Sequence, residues 1–221
     1  MAFQASGKKA TSNHPQVVTL VVDNSASMNG AKAKDATAGV QDVVLQLQSF
    51  NLQASLFRYL ISVIGFGDHA ASLALAEPPE KVDISKLVFA GDSPSTNMPE
   101  ALQLAAEATR QALAKCRQIQ GYRDEDAPNP ICIFFSDGEN NGGPVDGPAA
   151  ALKSISFGGG GVDVVACGIG MQQKDFLVMQ TIASSPDLAV NIDASQLSAF
   201  LAQAGKTLTK NERPTELTKN F

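Results

Sequence analysis

The sequence contains no tryptophan, only two histidines and two tyrosines, and three cysteines among 221 residues, and each scarcity narrows what the chain can do. Three cysteines cannot build a disulfide framework, and Cys116, Cys132 and Cys167 form no CxxC pair. Cys132 and Cys167 sit inside apolar, strand-like runs, where cysteine behaves as a small hydrophobe, so plain thiols in a reducing compartment are expected. His14 and His69 are too few for the common zinc enzymes or for a histidine relay. No run of about 18 apolar residues exists to span a bilayer. The opening stretch, Met1 to Lys9, lacks the hydrophobic core of a secretory signal, so the cytoplasm is the expected location. With a net charge of −5 and no basic block, the chain is not an electrostatic binder of nucleic acid.

What remains is ordinary globular material, 44% hydrophobic and 18% charged, in a length that suits one domain. Short apolar runs alternate with longer helical stretches. Val17-Val18-Thr19-Leu20-Val21-Val22 has strand length and is mostly β-branched. Val40, Val43, Val44 and Leu47 place a helix over 31–49, and 59–66 predicts a second strand. A shorter strand over 71–76 is stopped by Pro78-Pro79. Pro99 opens a helix to about residue 115, since its missing N–H costs nothing in a first turn. Further strands are expected over 131–135, 162–167 and 187–192, with a helix over 175–184. Ser195 caps a closing helix whose Leu197, Phe200, Leu201, Ala204 and Leu208 share a face. The pattern predicts an α/β fold: an open, doubly wound, mostly parallel sheet with helices on both faces and one short antiparallel edge strand. The domain is expected over 16–208, after an N-terminal segment (1–15) and before a loose polar tail (209–221).

Such sheets bind ligands at the carboxyl ends of their strands. The first strand runs into Asp23-Asn24-Ser25-Ala26-Ser27-Met28, and a later one into Ser136-Asp137-Gly138-Glu139-Asn140. Ser95-Thr96-Asn97 precedes the Pro99 helix. These loops offer carboxylates and hydroxyls with no thiol or imidazole beside them. An all-oxygen set suits a hard divalent cation, Mg²⁺ first and Mn²⁺ or Ca²⁺ next.

Asp23-x-Ser25-x-Ser27, a threonine before a helix, and Ser136-Asp137-Gly138 after a later strand resemble the von Willebrand factor A domain, which carries a metal-ion-dependent adhesion site. The resemblance spans about residues 16–208 and implies a Rossmann-like fold. It implies that Ser25 and Ser27 bind the metal through hydroxyls, that Thr96 joins them in the open state, and that Asp23 and Asp137 act through waters and hydrogen bonds. Met28-Asn29-Gly30 and the Phe-Ser-Asp-Gly turn look closest to bacterial intracellular members such as the tellurite-resistance group. The implied function is a non-enzymatic, metal-dependent protein-binding module that takes an acidic residue of a partner, with an ATPase, kinase or phosphatase encoded nearby as candidate. The alternative is a Mg²⁺-dependent hydrolase using the same cation. The site is expected to be a solvent-facing crevice.

Competing features are weaker. Asp, Ser and Asn after a strand also serve as helix caps, and Asn97 is such a candidate. Ser93 and Ser95 share the loop with Thr96. Glu139 and Asp92 read as solvated loop charges, and 117–130 as a surface loop. Gly65-Phe66-Gly67-Asp68-His69-Ala70 fits a dinucleotide fingerprint but has no helix after it. An EF-hand fails because Met28 and Lys34 stand where Gly and Glu are needed. The Gly158–Gly161 run precedes a strand and reads as a linker. An aspartyl phosphatase would need an acid at Ser25, and no G-x-S-x-G elbow is present.

Overall fold

The β-branched runs have to be covered on both faces, and the chain meets that demand with a layered αβα arrangement. The structure, a computed structural model, describes residues 8–53, 59–138, 140–155 and 160–221. Six strands form one sheet: β1 (Gln16–Asp23), β2 (Tyr59–Phe66), β3 (Ala70–Glu77), β4 (Ile131–Ser136), β5 (Asp163–Ile169) and β6 (Ala189–Ile192). Their order is β3-β2-β1-β4-β5-β6, parallel throughout except for antiparallel β3 at one edge. Every residue of β1, β4 and β5 is buried, whereas most of β3 is only partly buried or exposed. The predicted architecture is the observed one.

Helices α1 (Ala31–Gln53) and α5 (Leu197–Lys210) pack together, and α2 (Met98–Cys116), α3 (Asp146–Lys153) and α4 (Gln173–Ile182) form a second connected group. Asn97 caps α2: its side-chain oxygen accepts from the Glu100 amide at 3.2 Å, satisfying an otherwise orphaned N–H. All three cysteines are free and buried, as expected of small hydrophobes.

The tail differs from expectation. It folds into α6 (Pro214–Thr218), buries Leu217, and sets the Phe221 ring 5.4 Å from Phe200. Thr218 Oγ1 donates to the Asp187 carbonyl at 2.6 Å, so the segment is packed rather than loose. The Gly65–Ala70 stretch is a β2–β3 hairpin with no helix to meet a pyrophosphate. In the 117–130 loop, the Arg117 guanidinium donates to Asp124 at 2.6 Å, a local surface pair.

The sheet order reverses at β1 and β4, which are neighbours although two strands intervene in sequence. The loops after both strands therefore open at one point, where the candidate residues lie.

Candidate metal centre

Asp23 is the last residue of β1 and is completely buried. This corrects the expectation that the whole site faces solvent: Asp23 lies at its foot. Its Oδ1 accepts from the Ser25 amide at 2.7 Å, and its Oδ2 accepts from Ser136 Oγ at the end of β4. Burial pushes the Asp23 carboxyl above its usual value, the Ser136 and Ser25 hydrogen bonds oppose that, and the nearby Asp137 charge adds to the rise.

Ser25 Oγ and Ser27 Oγ are 3.0 Å apart, and Ser27 Oγ donates to Asp137 Oδ1 at 2.6 Å. Thr96 arrives from the loop before α2, which is pinned from two sides. The Asn97 amide donates to the Gly67 carbonyl at 2.8 Å, and the Asn141 amide donates to the Thr96 carbonyl at 2.9 Å. Ser93 and Ser95 are committed elsewhere: Ser93 Oγ accepts from the Asp68 amide at 2.7 Å, and Ser95 Oγ donates to Asp68 Oδ1. Thr96 is the hydroxyl of that loop turned toward the serines.

Gly138 shows the convergence. A Cβ built there would stand 3.3 Å from Ser27 Oγ, 3.4 Å from Thr96 Oγ1 and 3.9 Å from Ser25 Oγ. The backbone can pass close to all three hydroxyls because no side chain intervenes. Gly91 serves the same loops: with φ +63° and the Asn29 amide nitrogen 2.6 Å from a built Cβ, only glycine fits.

All five predicted residues are thus brought together, from three loops. Two carboxylates and three hydroxyls form an oxygen-only donor set, which fits a hard divalent cation. Among the described residues, no three His, Cys, Asp or Glu side chains gather as a metal site, here or elsewhere, so the hydroxyls carry much of this donor set. Asp92 instead accepts from Asn24 Nδ2 at 3.2 Å and braces the first loop. Glu139 and the Gly158–Gly159 part of the glycine run lie outside the described residues. His69 is solvent-exposed and faces Glu100 at 3.6 Å, not the hydroxyls.

Sequence reasoning left three contributors out of the site. Ser136 ties Asp23 to the Gly138 amide, whose N–H it accepts at 3.3 Å. Gly138 makes room, and Lys32, in the first turn of α1, ion-pairs with Asp137 Oδ2. The available signal was positional: Ser136 ends a strand beside a motif aspartate, and Lys32 opens the helix that follows the first motif.

A doubly wound α/β domain with an oxygen-lined crevice at its topological switch point defines the class. The family model for the von Willebrand factor type A domain matches residues 18–204, and the chain belongs to that family. No curated protein matches the sequence. Among solved structures, proximal thread matrix protein 1 from the mussel byssus superposes on 92% of this chain and 49% of its own, with TM-score 0.65 and 19% identity. That protein is also solved with a zinc-occupied MIDAS motif, at TM-score 0.61 and 18% identity over 89% of this chain and 46% of its own. The vWF domain of the type V pili tip protein Mfa5 from Porphyromonas gingivalis matches over 90% of this chain and 96% of its own, with TM-score 0.63 and 12% identity. The chain spans about half the length of the mussel protein. At these identities the likeness is one of fold.

Proposed function

We propose that the chain is a metal-dependent protein-binding module and not an enzyme, with Asp23, Ser25, Ser27, Thr96 and Asp137 as the residues that hold a divalent cation. The observation that carries this reading is the convergence of three hydroxyls from two loops around Gly138, backed by two carboxylates. A bound divalent cation, Mg²⁺ first, supplies an exchangeable position for a partner's carboxylate oxygen. Ser25, Ser27 and Thr96 offer neutral oxygens, so they bind without cancelling the charge that attracts the partner. Asp23 orients the Ser25 amide, and Asp137 orients the Ser27 hydroxyl. The zinc-occupied motif of the mussel protein supports a divalent occupant for a site of this kind. The hydrolase alternative has less support, because the one nearby histidine, His69, points away from the hydroxyls.

The tellurite-resistance-like turn sequences favour an intracellular bacterial setting, with an acidic face of an ATPase, kinase or phosphatase encoded nearby as the partner. Among the described residues no helix is long and apolar enough to cross a membrane. Isothermal titration with Mg²⁺ and Mn²⁺ tests the site. The wild-type chain should take up one ion, and Asp137→Ala should lose it while keeping the far-UV spectrum. Thr96→Ala should retain weak binding. Undiminished affinity in Asp137→Ala and Asp23→Asn together would overturn the assignment. For a purified acidic partner, excess EDTA should abolish binding and Mg²⁺ should restore it.

A further inference from the structure

The donor set above counts two carboxylates, yet the chain places a third charge among them. Lys32 Nζ pairs with Asp137 Oδ2 and donates to the Ser27 carbonyl at 3.2 Å. It thus touches two of the five site residues at once. The other Asp137 oxygen is held by Ser27 Oγ at 2.6 Å, so the Asp137 carboxylate is fixed at both ends. The Asp137 side chain is fully buried while that of Lys32 is 31% exposed, so the ammonium closes the carboxylate off from water. Lys32 also stands in the first turn of α1, which contains no acidic residue. A cation there opposes the positive end of the helix dipole. The ion pair offsets that local conflict.

We propose that Lys32 is a built-in counter-charge and specificity residue of this site: it orders Asp137 before a cation arrives, competes with the cation for that carboxylate, and makes the loaded site select an anionic ligand. The inference rests on the metal reading of the preceding subsection. Its core is charge arithmetic. Asp23, Asp137 and Lys32 sum to a formal −1, and with a divalent cation the sum becomes +1. One incoming carboxylate then leaves the site neutral. Without Lys32 the loaded site is already neutral, and an incoming carboxylate leaves it at −1. Lys32 therefore weakens ion binding and strengthens anion capture. Those opposite signs separate its role from simple packing.

The test uses the full chain with Lys32→Met, which keeps the stem but not the charge, and Lys32→Arg, which keeps the charge. In Mg²⁺ calorimetry, Lys32→Met should bind at least about tenfold tighter, the effect of removing one like charge at contact range. Lys32→Arg should stay near wild type. In the metal-free state Lys32→Met should melt lower, because Asp137 loses its partner. Acetate then serves as the anion probe on Mn²⁺-loaded protein, read by water-proton relaxation. Wild type should lose relaxation enhancement at several-fold lower acetate than Lys32→Met. Equal or weaker Mg²⁺ binding by Lys32→Met overturns the inference and leaves the metal reading standing. Equal acetate response overturns the anion-selection role. Binding by Lys32→Met alone supports the competition, and binding by neither protein overturns the inference and the metal reading together.

Discussion

Ser136→Ala removes a single oxygen and tests whether that oxygen sets the state of Asp23. Ser136 and Asp23 are both fully buried, and Ser136 Oγ donates to Asp23 Oδ2 while accepting from the Gly138 amide at 3.3 Å. Alanine keeps the strand and nearly the same volume, so the loss falls on polar partners. A hydrogen bond to a charged group contributes about 1.5–3 kcal/mol, and Gly138 N–H loses its acceptor as well, so the expected destabilisation is about 3 kcal/mol at neutral pH. The pH dependence follows from the same contact. Burial already raises the Asp23 carboxyl, and the Ser136 hydrogen bond holds that rise back, so the variant's folded value lies higher still. Below both folded values Asp23 is protonated in either protein, and the charge-dependent part of the penalty vanishes. As pH rises through the wild-type folded value that part grows, and it is complete above the variant's. Urea unfolding in EDTA at two pH values, one well below the wild-type folded value of Asp23 and one at about pH 8, measures it, followed by far-UV circular dichroism because the chain has no tryptophan. A penalty below about 1 kcal/mol, or one equal at both pH values, would refute the reasoning.

Asp163, the first residue of β5, is 4% exposed, and burial pushes its carboxyl up to about 6 despite the Asn129 hydrogen bond at 3.2 Å. Because the folded value exceeds the unfolded one, stability falls as pH rises from about 4 through about 6 and stays lower above that. Asp163→Asn should therefore stabilise the chain by about 3 kcal/mol at neutral pH and by almost nothing below about pH 4, measured as the difference between two denaturation series. A pH-independent difference would show that the carboxyl is not held up by burial. Gly39→Ala addresses packing: a Cβ at Gly39 would lie 2.8 Å from Leu201 Cβ, forcing α1 away from α5. A loss of about 1–3 kcal/mol is expected from such overpacking, and an unchanged melting temperature would mean that the helices part freely.

The strands and most helices were legible because their signals are carried by runs of side chains. The β1, β4 and β5 runs are buried on both faces and read as continuous apolar stretches. Even the edge strand β3 showed through its apolar run and the prolines after it, though at eight residues it runs longer than the six expected. The expected strand from 187 begins instead at Ala189, because Pro186-Asp187-Leu188 closes a single 3₁₀ turn first. Helix α3 went unpredicted: its sequence DGPAAALK carries a Gly-Pro pair near its start and one large apolar residue, Leu152. Its apolar period is too thin to register. The tail was misread for a related reason. Leu217 and Phe221 are its only large apolar residues, yet each finds a place against the domain, and composition averages cannot record two well-placed anchors among polar neighbours.

The site divides along another line. Residues of the proposed ligand set belong to a spaced motif and were named from it, whereas Ser136 and Lys32 act on those side chains and leave no spacing of their own. The choice among Ser93, Ser95 and Thr96 shows why. All three are hydroxyl residues of one loop, and no one-dimensional pattern says which way each points. The fold decides by commitment: Asp68 occupies the first two through its amide and its carboxylate. Thr96 Oγ1 has no hydrogen bond among the described residues although the residue is only 4% exposed, and it lies 3.4 Å from the position of a Cβ on Gly138. With Ser93 and Ser95 committed to Asp68, Thr96 is the hydroxyl of that loop left beside two serines and two carboxylates, as the proposed ligand set requires.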